Sequence, residues 1–285
     1  MNAVLYATGT WMWNNRTHGE LKWTTIETKH FNIHYHQNLD KIALQGASIA
    51  EQIRPTLMKQ MGLESLPTLD IIFTAEDEVL NGFAVPANYT IIWVDQNDAA
   101  LWTGDKKWLR TVLAHELQHL VYFNTVKGPW WLPEPMNSLA HGTPAWIVEG
   151  IAEYFTEEWR PFRYELSHRY HVLRNTVHKI QDPHNDGYSK SLYLADRFGD
   201  SSISKILNHR NKFKFLDFKE SFKKHTGITL KQFNEDWRRQ MNTFYFSQRS
   251  QKERLEDTGV IRKLPIKRVL SFDYFSDTSR VAMIT

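Results

Sequence analysis

Residues 115–119 read His115-Glu116-Leu117-Gln118-His119, and this short run limits the folds open to the chain. On a helix, residues four apart share a face, so His115 and His119 can present two imidazoles to one ion. Glu116 lies about 100° round from His115. A carboxylate there sits beside an open coordination position and can take a proton from water held in it. The neighbours support a helix: Trp108, Leu109, Val112, Leu113, Leu117, Leu120 and Val121 recur at helical spacing, with no Gly or Pro between Lys106 and Asn124. Thr103 or Asp105 can cap its start, and Lys127-Gly128-Pro129 blocks its continuation. The plainer alternative is an amphipathic core helix with two ordinary histidines.

A catalytic zinc takes three protein ligands and leaves a position for water. The chain has no Cys, so any zinc must be held by His and carboxylate. The metzincin extension would need Gly and His three and six residues after His119, where this chain has Tyr122 and Thr125. His141 is one candidate third ligand, but it falls in a Pro-rich connection with no helix to fix it. Glu149 is the stronger candidate. Thr143-Pro144 reads as an N-cap followed by Pro at the first helical position, and a helix runs on through Ala145 to Phe155. Glu149 and Glu153 share one face of it among Trp146, Ile147, Val148, Ile151 and Ala152. A carboxylate so ringed is expected to be buried and to need a partner. Gly150 removes a side chain, which lets another helix approach. The alternative is that Glu149 faces water and Gly150 is incidental. The assignment is His115, His119 and Glu149 as ligands, with Glu153 accepting the other ring N–H of a ligand histidine.

The rest of the chain sets limits. Its 285 residues suffice for one large domain or two modest ones. Net charge is only +3 and no basic block appears, so nucleic acid is not indicated as a partner. No stretch of about 18 apolar residues exists, so no transmembrane segment is expected. Residues 1–15 make a poor signal peptide, which points to the cytoplasm or to a lost export signal. Most of the eleven tryptophans sit at helical spacing with other apolar residues, which favours core over carbohydrate binding.

Strands are expected at 31–35, 69–73 and 89–94, with Asn81-Gly82-Phe83-Ala84 as a turn or strand entry. His30, His34 and His36 tempt a metal reading, but no carboxylate joins them in sequence. Helices are expected at 39–61, closed by Gly62, and at 188–198, 203–208, 217–225 and 230–246. A long connection, 126–142, carries Trp130-Trp131. Residues 1–20 read as a tail and 21–250 as the main domain. Residues 251–285 read as a linker and a hairpin that starts a β module.

The pairing of His115-Glu-x-x-His119 with Trp146-x-x-Glu149-Gly150-x-Ala152 resembles the gluzincin metallopeptidases, which include thermolysin and aminopeptidase N. The chain is more closely similar to the peptidase MA-like family. The matching runs are Thr28-Lys29-His30-Phe31-x-Ile33-x-Tyr35, Asn81 to Ala84, the two metal motifs, Tyr188-Ser189-x-Ser191-x-x-x-Ala195-x-x-Phe198-Gly199 and Phe233-x-x-x-Trp237. The resemblance implies an α+β, zincin-like fold and peptide hydrolysis with one Zn²⁺, with Glu116 as general base. It implies that Asn81, Gly82, Phe83 and Ala84 align an extended peptide substrate, and that Tyr188 stabilises the oxyanion, with Tyr193, Tyr154 and His184 as weaker candidates. It implies export and, from the final hairpin, fusion to a TolB-like β-propeller. No anchor for a free amine is evident, so endopeptidase action is expected. The competing reading is a zinc-stabilised binding or scaffold module without turnover.

Overall fold

The computed structural model describes residues 19–75, 80–94, 108–133, 136, 142–156, 162–177, 182–253 and short pieces of 259–285. Thr103, Asp105 and His141 lie outside the described residues, as do residues 1–18. The chain divides into two compact units, residues 1–242 and 243–285. The first unit is a mixed α+β assembly.

Its sheet has five strands: β1 (Trp23–Glu27), β2 (Phe31–His36), β3 (Leu69–Thr74), β4 (Leu80–Val85) and β5 (Tyr89–Val94). Their spatial order is β1-β2-β3-β5-β4, with β2, β3 and β5 parallel and the two edge strands antiparallel. The central strands are buried on both faces, as parallel strands usually are. Phe31, Ile33, Tyr35, Leu69, Ile71, Phe73, Ile92 and Val94 join the main core. Residues 81–84, expected as a turn or strand entry, lie inside the full edge strand β4, paired with β5 from Leu80↔Val94 to Val85↔Tyr89.

Helix α1 (Asp40–Met61) crosses between β2 and β3 and stops at Gly62, which takes the left-handed φ of 70° that favours glycine. A Cβ on Gly46 would fall 2.4 Å from the Phe73 ring, so the bare glycine lets α1 lie flat on the sheet. Then follow α2 (Trp108–Val126), α3 (Ala145–Thr156), α4 (Phe162–Leu173), α5 (Pro183–Phe198), α6 (Ser201–Asn208), α7 (Phe218–Thr226) and α8 (Leu230–Ser250). Arg210 ties the motif helix α2 to the later helices, donating to the Thr125 and Leu207 carbonyls. No described helix is long and apolar enough to cross a membrane.

The strand histidines are engaged in structural bonds. His34 meets Thr25 Oγ1 at 2.8 Å and Asp70 Oδ1, on the neighbouring strand, at 3.3 Å. His36 accepts from the Ala75 N–H at 3.0 Å, and His30 pairs with Glu51 at 2.7 Å. The second unit contains the hairpin β6 (Ser271–Tyr274) and β7 (Val281–Ile284), paired from Ser271↔Ile284 to Tyr274↔Val281.

Candidate functional site

Three helices converge on one point. Helix α2 packs against α1, α3 and β4, burying Glu116 and His119 and half-burying His115. Helices α3 and α5 pack together more extensively than any other described pair of helices. They approach through Gly150 and Gly187, which brings Glu149 and Glu153 beside His184. The expectation that Gly150 admits another helix holds, and that helix is α5.

Nε2 of His115 and Nε2 of His119 are 3.1 Å apart. Glu149 Oε2 lies 3.6 Å from the first and 3.3 Å from the second. Groups bonded at about 2.0–2.2 Å in a tetrahedral zinc site stand roughly 3.3–3.6 Å from one another. Two sides of the triangle fall in that range and the His115–His119 side, at 3.1 Å, is a little shorter. His184 joins the cluster: its Nδ1 is 3.5 Å from Glu149 Oε2. His115, Glu149 and His184 form a group that could hold a metal ion, with ligand atoms within 4.8 Å of one another.

Glu153 stands behind this front row. Its Oε1 accepts from His184 Nδ1 at 2.8 Å and lies 3.9 Å from His115 Nδ1. Of the two α3 carboxylates, Glu153 is the buried one at 1% exposure, while the Glu149 side chain is 29% exposed. This corrects the expectation from the apolar ring around Glu149. The reason is the crossing with α5, which covers the face of α3 one turn beyond it.

The charges interlock. Burial would raise the Glu149 carboxyl, but hydrogen bonds from His115 and His119 outweigh it and hold Glu149 well below the usual carboxylate range. Burial would lower His115, yet the Glu149 bond and the charges of Glu153 and Glu116 leave it raised. His184 is raised first by its hydrogen bond to Glu153. Glu116 is raised chiefly by burial, against the opposing pull of His119, His115 and the Ala84 N–H it accepts from. A carboxyl shifted upward beside a cluster of imidazoles is suited to taking and returning a proton.

Tyr188 lies one turn beyond His184 on α5, buried, with its ring 5.6 Å from that of Tyr164. Tyr154 and Tyr193, the lesser oxyanion candidates, are bound elsewhere. Tyr154 donates to Asp200 at 3.0 Å, and Tyr193 accepts from Arg197 at 2.7 Å. Gly82, Phe83 and Ala84 lie on edge strand β4 against α2, and Asn81 is in the same strand with its side chain outside the described residues. Helix α5 begins at Pro183 behind the N-cap Asp182, more than a turn earlier than the expected start at Tyr188. The Asp182-Pro183 pair is itself a helix-start signal, and reading it would have put His184 on this helix.

No family model and no curated protein matches the chain. Among solved structures, the chain is similar to an aminopeptidase N family protein from Idiomarina loihiensis, with a TM-score of 0.47 and 13% sequence identity. The likeness covers 77% of this chain and 46% of that one, so this chain spans less than half of its neighbour's length. Likeness of that degree decides neither the fold family nor the activity.

Proposed function

We propose that this protein is a zinc-dependent peptidase, acting as an endopeptidase on extended peptide segments. The observation that carries the reading is the triangle of His115 Nε2, His119 Nε2 and Glu149 Oε2, with sides of 3.1, 3.3 and 3.6 Å. Two imidazoles and a carboxylate, without any thiolate, form the donor set of catalytic rather than structural zinc. Bound there, zinc would supply Lewis acidity that polarises a carbonyl and acidifies a water.

The chain's own residues do the rest. Glu116 takes a proton from the attacking water and passes it to the leaving amine nitrogen. Glu153 orients His184 through its Nδ1 and sets a negative charge 3.9 Å from His115 Nδ1. Tyr188 donates to the oxyanion, a role worth on the order of 2.7–4 kcal/mol in comparable sites. It shares a face of α5 with His184, four residues before it. Strand β4 has one edge paired with β5 and can align a substrate backbone along its other side.

The test is digestion of a mixed peptide library by zinc-loaded protein, with and without chelator, beside Glu116→Gln. The wild type should cleave, chelation should stop it, and Glu116→Gln should keep zinc but lose turnover. A wild type that binds zinc yet cleaves nothing would make the protein a zinc-stabilised scaffold instead.

A further inference from the structure

Strand β4 contains a glycine that its backbone does not require. Gly82 is not among the described glycines with positive φ, so its conformation is open to any residue. Glycine inside a strand weakens it and marks a place where something approaches closely. Here that something is one side chain. A Cβ built on Gly82 would lie 2.5 Å from Glu116 Cγ, 2.6 Å from Oε1 and 2.7 Å from Cδ, all inside the 3.0 Å that real Cβ atoms respect. Two residues on in the same strand, the Ala84 N–H donates to the same carboxylate.

Resting on the peptidase reading above, we propose that Gly82 is a positioning residue: its bare Cα, together with the Ala84 N–H, sets where the Glu116 carboxylate sits. The contrast with Gly150 sharpens this. A Cβ there would meet the backbone of Gly187, which can yield only if a helix moves. At Gly82 the three nearest atoms all belong to the Glu116 side chain, so the base is the first group to give way. The strand that would align a peptide thus also holds the group that moves its protons, and the two are registered to each other.

The experiment compares wild type, Gly82→Ala, Glu116→Gln and the double variant, each zinc-loaded. Gly82→Ala should keep wild-type zinc content and thermal midpoint. Its kcat should fall about 100-fold, the usual consequence of displacing a catalytic group by an ångström, with KM little changed. In the Glu116→Gln background the same substitution should cost nothing further in single-turnover cleavage. A wild-type kcat in Gly82→Ala overturns the proposal, and so does an equal further loss in the Glu116→Gln background. A crystal structure of the Gly82→Ala protein gives a reading independent of activity. Glu116 should be displaced away from β4, and an unmoved carboxylate overturns the proposal even if no peptide is ever cleaved. An inert wild type with a displaced Glu116 would overturn the peptidase reading and leave the positioning intact.

Discussion

Gly150 and Gly187 meet backbone to backbone. A Cβ on Gly150 would fall 2.3 Å from the Gly187 carbonyl oxygen, and one on Gly187 would fall 2.3 Å from the Trp146 carbonyl oxygen. The crossing of α3 and α5 therefore leaves no room for a side chain at either glycine, and it sets Glu149 and Glu153 against His184. Alanine at either position gains about 1 kcal/mol of helix propensity. Overpacking a contact made of backbone costs about 1–3 kcal/mol or more, and here it wins. Gly150→Ala should lower the urea midpoint and weaken zinc binding together. An unchanged midpoint would mean that the helices can part freely.

Glu153 is buried and accepts from His184 Nδ1 at 2.8 Å, while its carboxylate lies 3.9 Å from His115 Nδ1, a charge contact rather than a hydrogen bond. Removing it takes the acceptor from His184 Nδ1 and a negative charge from beside His115. Glu153→Ala should weaken zinc affinity by about 10–100-fold, the usual cost of losing a group that orients a ligand. Glu153→Gln keeps an acceptor oxygen and should fall between. The measurement is competition with a chromophoric chelator, and wild-type affinity in Glu153→Ala would remove this residue from the site.

The parts of this site that were legible in the sequence are those fixed by local geometry. The spacing of His115 to His119, and of Glu149 to Glu153, states which residues share a helix face. Gly150 stood out because it interrupts an otherwise strong helix. Gly82 and Gly187 could not be read this way, because what makes each necessary is an atom far along the chain, Glu116 for the one and Trp146 for the other. Strand β1 has only partial burial at Trp23 and Ile26, so its alternation is too weak to mark it as a strand in the sequence. Helix α4 exposes Leu166 and Tyr170, which spoils the apolar stripe that reveals a helix. The burial order of Glu149 and Glu153 depends on where α5 crosses, which local sequence does not state.

Gln118, one residue before His119, is fully buried, and neither its amide nitrogen nor its amide oxygen has a hydrogen-bond partner among the described residues. An unmet buried amide costs about 1–3 kcal/mol. Methionine matches its length without the polar atoms. Gln118→Met should raise the thermal midpoint, by about 1 kcal/mol of stability. A lowered midpoint would show that the amide is satisfied in solution, by water or by a bound group.

His168 gives the clearest dependence on pH, away from the cluster of His115, His119, Glu149 and His184. It is fully buried between α4 and α5. Its Nδ1–H donates to the Tyr164 carbonyl at 2.9 Å. Its Nε2 lies 3.0 Å from Ser189 Oγ, which already accepts from Trp237 Nε1–H at 3.1 Å. The Ser189 hydroxyl proton therefore points at His168, since its other acceptor, the Asp186 carbonyl, is 3.5 Å away. Adding a proton to Nε2 would turn the Ser189 hydroxyl toward the Asp186 carbonyl at 3.5 Å, a poorer bond than the one it gives up. Burial is the first cause that pushes this imidazole down, from 6.5 to about 4, aided by the charges of His171 and Lys190. A histidine depressed in the folded state stabilises the fold fully above its unfolded pKa and loses that contribution as pH falls toward the folded one. The window is thus pH 6.5 down to about 4, and the contribution lost across it is about 3 kcal/mol. His168→Phe cannot titrate. It should be less stable than wild type at pH 7, where the Tyr164 and Ser189 bonds count, and the gap should close as urea unfolding is repeated down to pH 4. Parallel stability curves for the two proteins would mean that His168 is protonated as easily in the fold as outside it.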